Sequence, residues 1–98
     1  MSNLRSKIPS RVRVTKKVTY EILFVDEFKD NSQVGECRPE EKQILIKNNI
    51  SDTETFKTFI HEVMHSLSFE TKKLNLTEGQ VEKLEEGIFR LLKLNKLL

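Results

Sequence analysis

The chain has 98 residues, 37% apolar and 33% charged, which suffices for one domain with one modest core and matches soluble globular proteins. A formal net charge of +2 is too small to argue for nucleic-acid binding by the whole domain, and a single cysteine, Cys37, excludes an intramolecular disulfide and fits a reducing compartment. No stretch approaches the length of a membrane span and the N-terminus carries no apolar signal segment, so cytoplasmic residence without membrane association is the expectation.

Residues 1–17 hold Arg5, Lys7, Arg11, Arg13, Lys16 and Lys17 and no acid. Pro9 and the serines argue against a helix over 1–10, which reads as a flexible basic arm ahead of a single domain over 11–98. Such an arm is a solvated tail or a contact for nucleic acid or an acidic partner. From Arg11 the apolar residues alternate with polar ones, as in a half-exposed edge strand. Val18–Val25 is rich in β-branched and aromatic residues and reads as a central strand. A polar turn at Lys29–Ser32 follows. Val34–Cys37 reads as a short extended segment ending before Pro39. Glu40-Glu41-Lys42 reads as a hairpin turn and Gln43–Lys47, with Ile44, Leu45 and Ile46, as a further strand.

A helix is expected over about Thr53–Glu70, with Asp52 as its N-cap and Glu54 favourably placed at its positive end. Phe56, Phe59, Ile60, Val63, Met64 and Leu67 recur at helical spacing and form its inward stripe. Beside that stripe lies His61-Glu62-Val63-Met64-His65, an H-E-x-x-H pattern containing both histidines of the chain. Four-residue spacing on a helix puts the two rings on one face, one turn apart, where they can hold one Zn²⁺. Glu62 stands between them, where a carboxylate can take a proton from metal-bound water. The plain alternative is two surface histidines and a solvated glutamate.

Leu74-Asn75-Leu76 reads as a connector to a second helix. Thr77 is its expected cap, with Gln80 completing a capping box and Leu76 stapled onto Val81. Val81, Leu84, Ile88, Leu91 and Leu92 are expected on its inward face. Gly87 lowers helix propensity, and close packing on the first helix is its expected reason. Leu94, Leu97 and Leu98 are expected to fold back on the monomer or to join two copies in a weak homodimer. The expected architecture is α+β, with an antiparallel or mixed sheet of three or four strands and two principal helices.

A catalytic zinc usually has three protein ligands. With no third histidine, the candidates are the carboxylates of the second helix and Cys37. Amphipathicity favours Glu85, nearest the apolar face. Glu78 follows but lies in the first, fraying turn, Glu82 flanks the face, and Glu86 points furthest away. Cys37 is either a small buried hydrophobe or a thiolate on the open metal position.

Thr58–His65 with its H-E-x-x-H motif, the Ile44-Leu45-Ile46 strand before it, and the segment Val81-Glu82-Lys83-Leu84 continuing to Leu92 resemble the small zincin-type peptidases of bacterial and phage genomes, close to the ImmA/IrrE-like group. The resemblance spans about residues 11–95, and its specific part is the motif. It implies a gluzincin-like site in which His61, His65 and Glu82 bind Zn²⁺; weighed together with the helical-face reading, the order is Glu82, then Glu85, then Glu78. It also implies a strand lying along the cleft that pairs with extended substrate, either Val34–Cys37 or Gln43–Lys47.

The implied activity is that of a zinc-dependent endopeptidase acting on a protein or peptide substrate. Metal-bound water is the nucleophile and Glu62 is the general base, which then passes a proton to the leaving nitrogen. Tyr20 and Arg38 are the candidate oxyanion donors. Two rivals stand beside it: a zinc-binding module without catalysis, and a protease acting on nucleic-acid-associated proteins through the basic arm.

Overall fold

The computed structural model describes residues 4–98. Four strands, β1 (Arg11–Arg13), β2 (Thr19–Val25), β3 (Gly35–Arg38) and β4 (Gln43–Lys47), precede two helices, α1 (Asp52–Glu70) and α2 (Glu78–Leu94). This is the expected α+β architecture. The sheet is mixed and its order is β1-β2-β4-β3. The β1–β2 and β3–β4 pairs are antiparallel, while β2 and β4 run parallel, with Ile22 opposite Ile44 and Phe24 opposite Ile46. β4 is therefore central, and β3 is left as a free edge. Among the described residues, no helix is long and apolar enough to cross a membrane.

α1 covers one face of the sheet, and α2 packs on α1. Side chains alternate along a strand, so Tyr20, Ile22, Ile44 and Ile46 point together toward α1, where Phe59 and Val63 meet them. Tyr20, Ile44 and Ile46 have no exposure, and each isoleucine so buried contributes roughly 2–3 kcal/mol. A second cluster joins the helices: Phe56, Ile60 and Met64 of α1 pack with Val81 and Phe89 of α2. Within the segment expected to be an arm, Leu4–Lys7 form a 3-10 turn whose Leu4 is buried in this cluster. Residues 1–3 of that segment lie outside the described residues.

Three local expectations need correction. The N-cap of α1 is Ser51, whose hydroxyl accepts from the Glu54 N–H, and Asp52 is the first helical residue. A serine oxygen one residue earlier fits the reach to the third helical N–H, which leaves Asp52 to act through its charge alone. On α2 the inward face is Val81, Phe89 and Leu92, whereas Leu84, Ile88 and Leu91 are exposed. The helix carries leucines on two adjacent faces, and Phe89, the bulkiest side chain, decides which one docks. Gly87 is not a contact point, because a Cβ there would meet only the Arg90 side chain, at 3.9 Å. At the C-terminus Leu98 packs on the helix cluster, and Leu94 and Leu97 are exposed.

Thr77 caps α2 with the full box, its hydroxyl accepting from the Gln80 N–H and the Gln80 side chain accepting from the Thr77 N–H. The connector is tied to α1 by Ser68, whose hydroxyl donates to the Leu74 carbonyl and accepts from the Leu76 N–H. These bonds set where the first turn of α2 stands relative to α1.

Candidate metal centre

A groove of about 1000 Å³ runs between β3 and α2, with α1 as its floor. His61 and His65 project from α1 into it, as their four-residue spacing requires, with ring centroids 4.9 Å apart. Their Nε2 atoms lie 3.2 Å apart. Glu78, the first residue of α2, reaches across. Its carboxylate oxygens are 2.6 Å from His61 Nε2 and 3.0 Å from His65 Nε2. One ligand atom from each of these three residues lies within 4.8 Å of the other two. Two imidazole nitrogens and a carboxylate oxygen at that spacing could hold a divalent metal ion.

Glu85 stands behind His61, its carboxylate 2.8 Å from Nδ1. With the Nδ1–H donated to Glu85, the neutral ring presents the Nε2 lone pair to the groove. Burial disfavours the imidazolium, but the Glu85 hydrogen bond and the charges of Glu62, Glu78 and Glu85 outweigh it and hold the His61 pKa above its ordinary value.

Glu62 is buried, 7% exposed, yet its carboxylate lines the groove. Among the described residues it makes no hydrogen bond or salt bridge. Burial pushes its pKa up to about 7; His61 pulls the other way, and Glu78, Glu36 and Glu85 add to the rise. Gly35 on β3 lies directly against it. A methyl group at Gly35 would stand 2.5 Å from Thr58 Cγ2 and 2.9 Å from Glu62 Oε2. Only a residue without a side chain lets the edge strand come this close to the helix.

The structure therefore brings His61, Glu62 and His65 together with Glu78 and Glu85. Glu82 lines the same groove but makes no hydrogen bond or ion pair with either ring among the described residues. The helical repeat accounts for the difference. Seven residues bring a helix back to within about 20° of its starting direction, so Glu78 and Glu85 face the histidines together, while Glu82 turns about 40° from Glu78. The capping box, visible in the sequence, was the signal that the first turn of α2 is held and that Glu78 can serve. Glu78 stood third among the candidates in the sequence; Gly35 was missed, although a lone glycine beside a short strand marks a close backbone approach.

Cys37 lines the groove and packs on the sheet cluster. Burial, then the charges of Glu62, Glu70 and Glu36, push its thiol up to about 12, with Lys42 opposing. Tyr20 and Arg38 do not line the groove. The buried Tyr20 hydroxyl donates to Glu70 Oε2 at 2.7 Å, and Arg38 pairs with Glu36 at 2.9 Å.

No protein-family model matches the chain, and neither does any curated protein or solved structure. What these observations show is a small α+β domain with a His61/His65/Glu78 cluster whose spacing is consistent with a metal-binding site.

Proposed function

We propose that the chain is a zinc-dependent peptidase of the small zincin type, resembling the ImmA/IrrE-like group, with His61, His65 and Glu78 as the metal ligands. The observation that carries this reading is the meeting of two Nε2 atoms and the Glu78 carboxylate in the groove that Glu62 lines, a buried residue that makes no hydrogen bond or salt bridge among the described residues. Zinc bound there supplies a Lewis acid for the scissile carbonyl and for water. Glu85 holds the His61 ring in the tautomer that presents Nε2. Glu62 accepts a proton from the attacking water and delivers one to the leaving nitrogen.

The free edge of β3 gives substrate a place to lie. The Lys47 N–H donates to the Val34 carbonyl at 2.8 Å, and Val34 stands opposite Lys47 in the register of the ladder. Alternation then turns the backbone groups of Glu36 and Arg38 toward β4, and those of Gly35 and Cys37 outward. The Gly35 carbonyl is taken by the Gln33 side chain at 3.0 Å. The Gly35 N–H and both backbone groups of Cys37 remain to pair with an extended peptide. Of the two candidate strands, β4 is enclosed between neighbours, so the role falls to Gly35–Arg38.

Elemental analysis of protein purified without added metal, together with digestion of an unbiased peptide mixture, tests the reading. One zinc per chain is expected. Glu62→Gln should keep the zinc and lose cleavage by about 100-fold or more. Less than about a tenth of an equivalent of metal, with no uptake on addition, sinks the proposal. Full zinc with no cleavage of any peptide leaves a metal-binding module without catalysis.

A further inference from the structure

The chain is slightly basic overall, but its groove is not. Glu54, Glu62, Glu78, Glu82 and Glu85 line it, against one lysine, Lys57, whose ammonium sits 5.1 Å from the centre of the Phe89 ring. Three of the five carboxylates have a place in the site already described. Glu54 and Glu82 do not. Neither side chain makes a hydrogen bond or salt bridge among the described residues, and Glu54 stands seven residues before His61, about 10 Å away along the helix. A metal bound at the histidines leaves its charge unanswered. Two cations close to the groove in sequence are committed elsewhere, Arg38 to Glu36 and Lys42 to Glu70.

An independent feature points to a ligand in the same groove: Glu62 is more than nine-tenths buried, lines it, and makes no hydrogen bond or salt bridge among the described residues. A third is the outward-facing backbone of Gly35 and Cys37, which asks for an extended chain. We infer that the groove takes an extended peptide segment bearing lysine or arginine, its backbone paired to the free edge of β3 and its cationic side chains set against Glu54 and Glu82. This rests on the peptidase reading of the site and names the substrate class. A groove walled by low-dielectric protein and lined by an excess of one sign of charge concentrates the field along its length, so it draws cationic segments and repels acidic ones.

The test uses the full chain carrying Glu62→Gln, loaded with zinc so that bound peptide is not consumed. Three end-blocked, fluorescein-labelled octapeptides, alike except for lysine, glutamine or glutamate at alternate positions, are titrated by fluorescence anisotropy. The lysine peptide should bind at least ten times more tightly than the glutamine peptide, and the glutamate peptide more weakly than either. The advantage should shrink between 0.05 and 0.5 M salt, about 14 Å and 4 Å of screening length. Adding Glu54→Gln and Glu82→Gln should bring lysine-peptide affinity down toward that of the glutamine peptide, whose own affinity stays the same. Spermidine, which has the charge but no peptide backbone, should displace the lysine peptide at least ten times less effectively than the unlabelled peptide does. Equal affinities for the three peptides, no effect of the two added substitutions, or displacement by spermidine as effective as by peptide each overturns the inference. Cleavage of an unbiased mixture by the parent protein separates the two readings. Cleavage without preference for basic residues overturns this inference alone, whereas basic preference in binding without any cleavage sinks only the peptidase.

Discussion

Gly35 and Glu62 are set so close that the edge strand and the motif helix share one volume, and a single added methyl group would fall 2.9 Å from Glu62 Oε2. Gly35→Ala should therefore both strain the fold and displace the carboxylate. The Thr58 methyl, 2.5 Å from the same point, is part of a packed floor, so a destabilisation of about 1–3 kcal/mol is expected in urea unfolding. Thr58→Ser removes that methyl and should restore part of the loss in the double variant, with an interaction energy of at least about 0.5 kcal/mol. Strict additivity of the two changes would show that the contact is not the cause.

The carboxylates of α2 should separate in zinc titrations. Glu78→Gln should weaken zinc binding by well over 100-fold, because it removes a direct ligand while barely changing helix propensity. Glu85→Gln should cost roughly 10–100-fold, the usual penalty for losing the partner that orients a ligating histidine. Glu82→Gln should bind zinc like the parent protein, and so should Glu62→Gln. Loss of zinc in Glu82→Gln with Glu78→Gln unaffected would return the third position to the residue that the family resemblance implies.

Acid sensitivity should depend on Glu70. The hydrogen bonds from Lys42 and Tyr20, and then the Lys42 charge, hold its carboxyl below the ordinary range. A depressed folded pKa stabilises the protein above the unfolded carboxylate value, about 4.3, and that contribution is lost as pH falls through the lower folded value. Urea midpoints of the parent and of Glu70→Gln should differ at pH 6 and converge toward pH 3. Curves that stay parallel over that range would exclude the link.

The two faces of α2 should respond differently to truncation. Phe89→Ala empties part of the helix–helix cluster and should cost about 3–5 kcal/mol. Leu91→Ala, on the exposed face, should stay within about 0.5 kcal/mol of the parent. Equal costs would mean that both faces are buried in solution, as in a dimer.

The legible parts of this fold were those with a short-range cause. Alternation in Arg11–Val14, the β-branched run before Val25, the stripe from Phe56 to Met64 and the Thr77–Gln80 box each reflect a local physical rule, and each appears as the corresponding element. His61, Glu62 and His65 were legible for the same reason, since helix geometry alone puts them on one side of α1. The residues that depend on how two elements meet were not. Which glutamate of α2 faces the histidines depends on the roll of one helix on another. That roll is set by Phe89, where the leucine pattern pointed to Leu84, Ile88 and Leu91. The parallel pairing of β2 with β4, which leaves β3 at the edge, likewise depends on a non-local choice that no single strand records.

Among the described residues, Glu78 belongs to a helix whose backbone approaches one other element, α1. The proposed ion would take two ligands from α1 and one from α2, so it would act as a rivet through the seam between the two helices. Part of the free energy of binding it is then free energy of docking a helix, and occupancy and mechanical integrity become one equilibrium read two ways. In such a molecule a chelator should act first as a lever on α2. Amide exchange over 78–94 would quicken on its addition while β2 and β4 stayed protected, so scarcity of metal would be felt as a loosened helix before it was felt as a lost reaction.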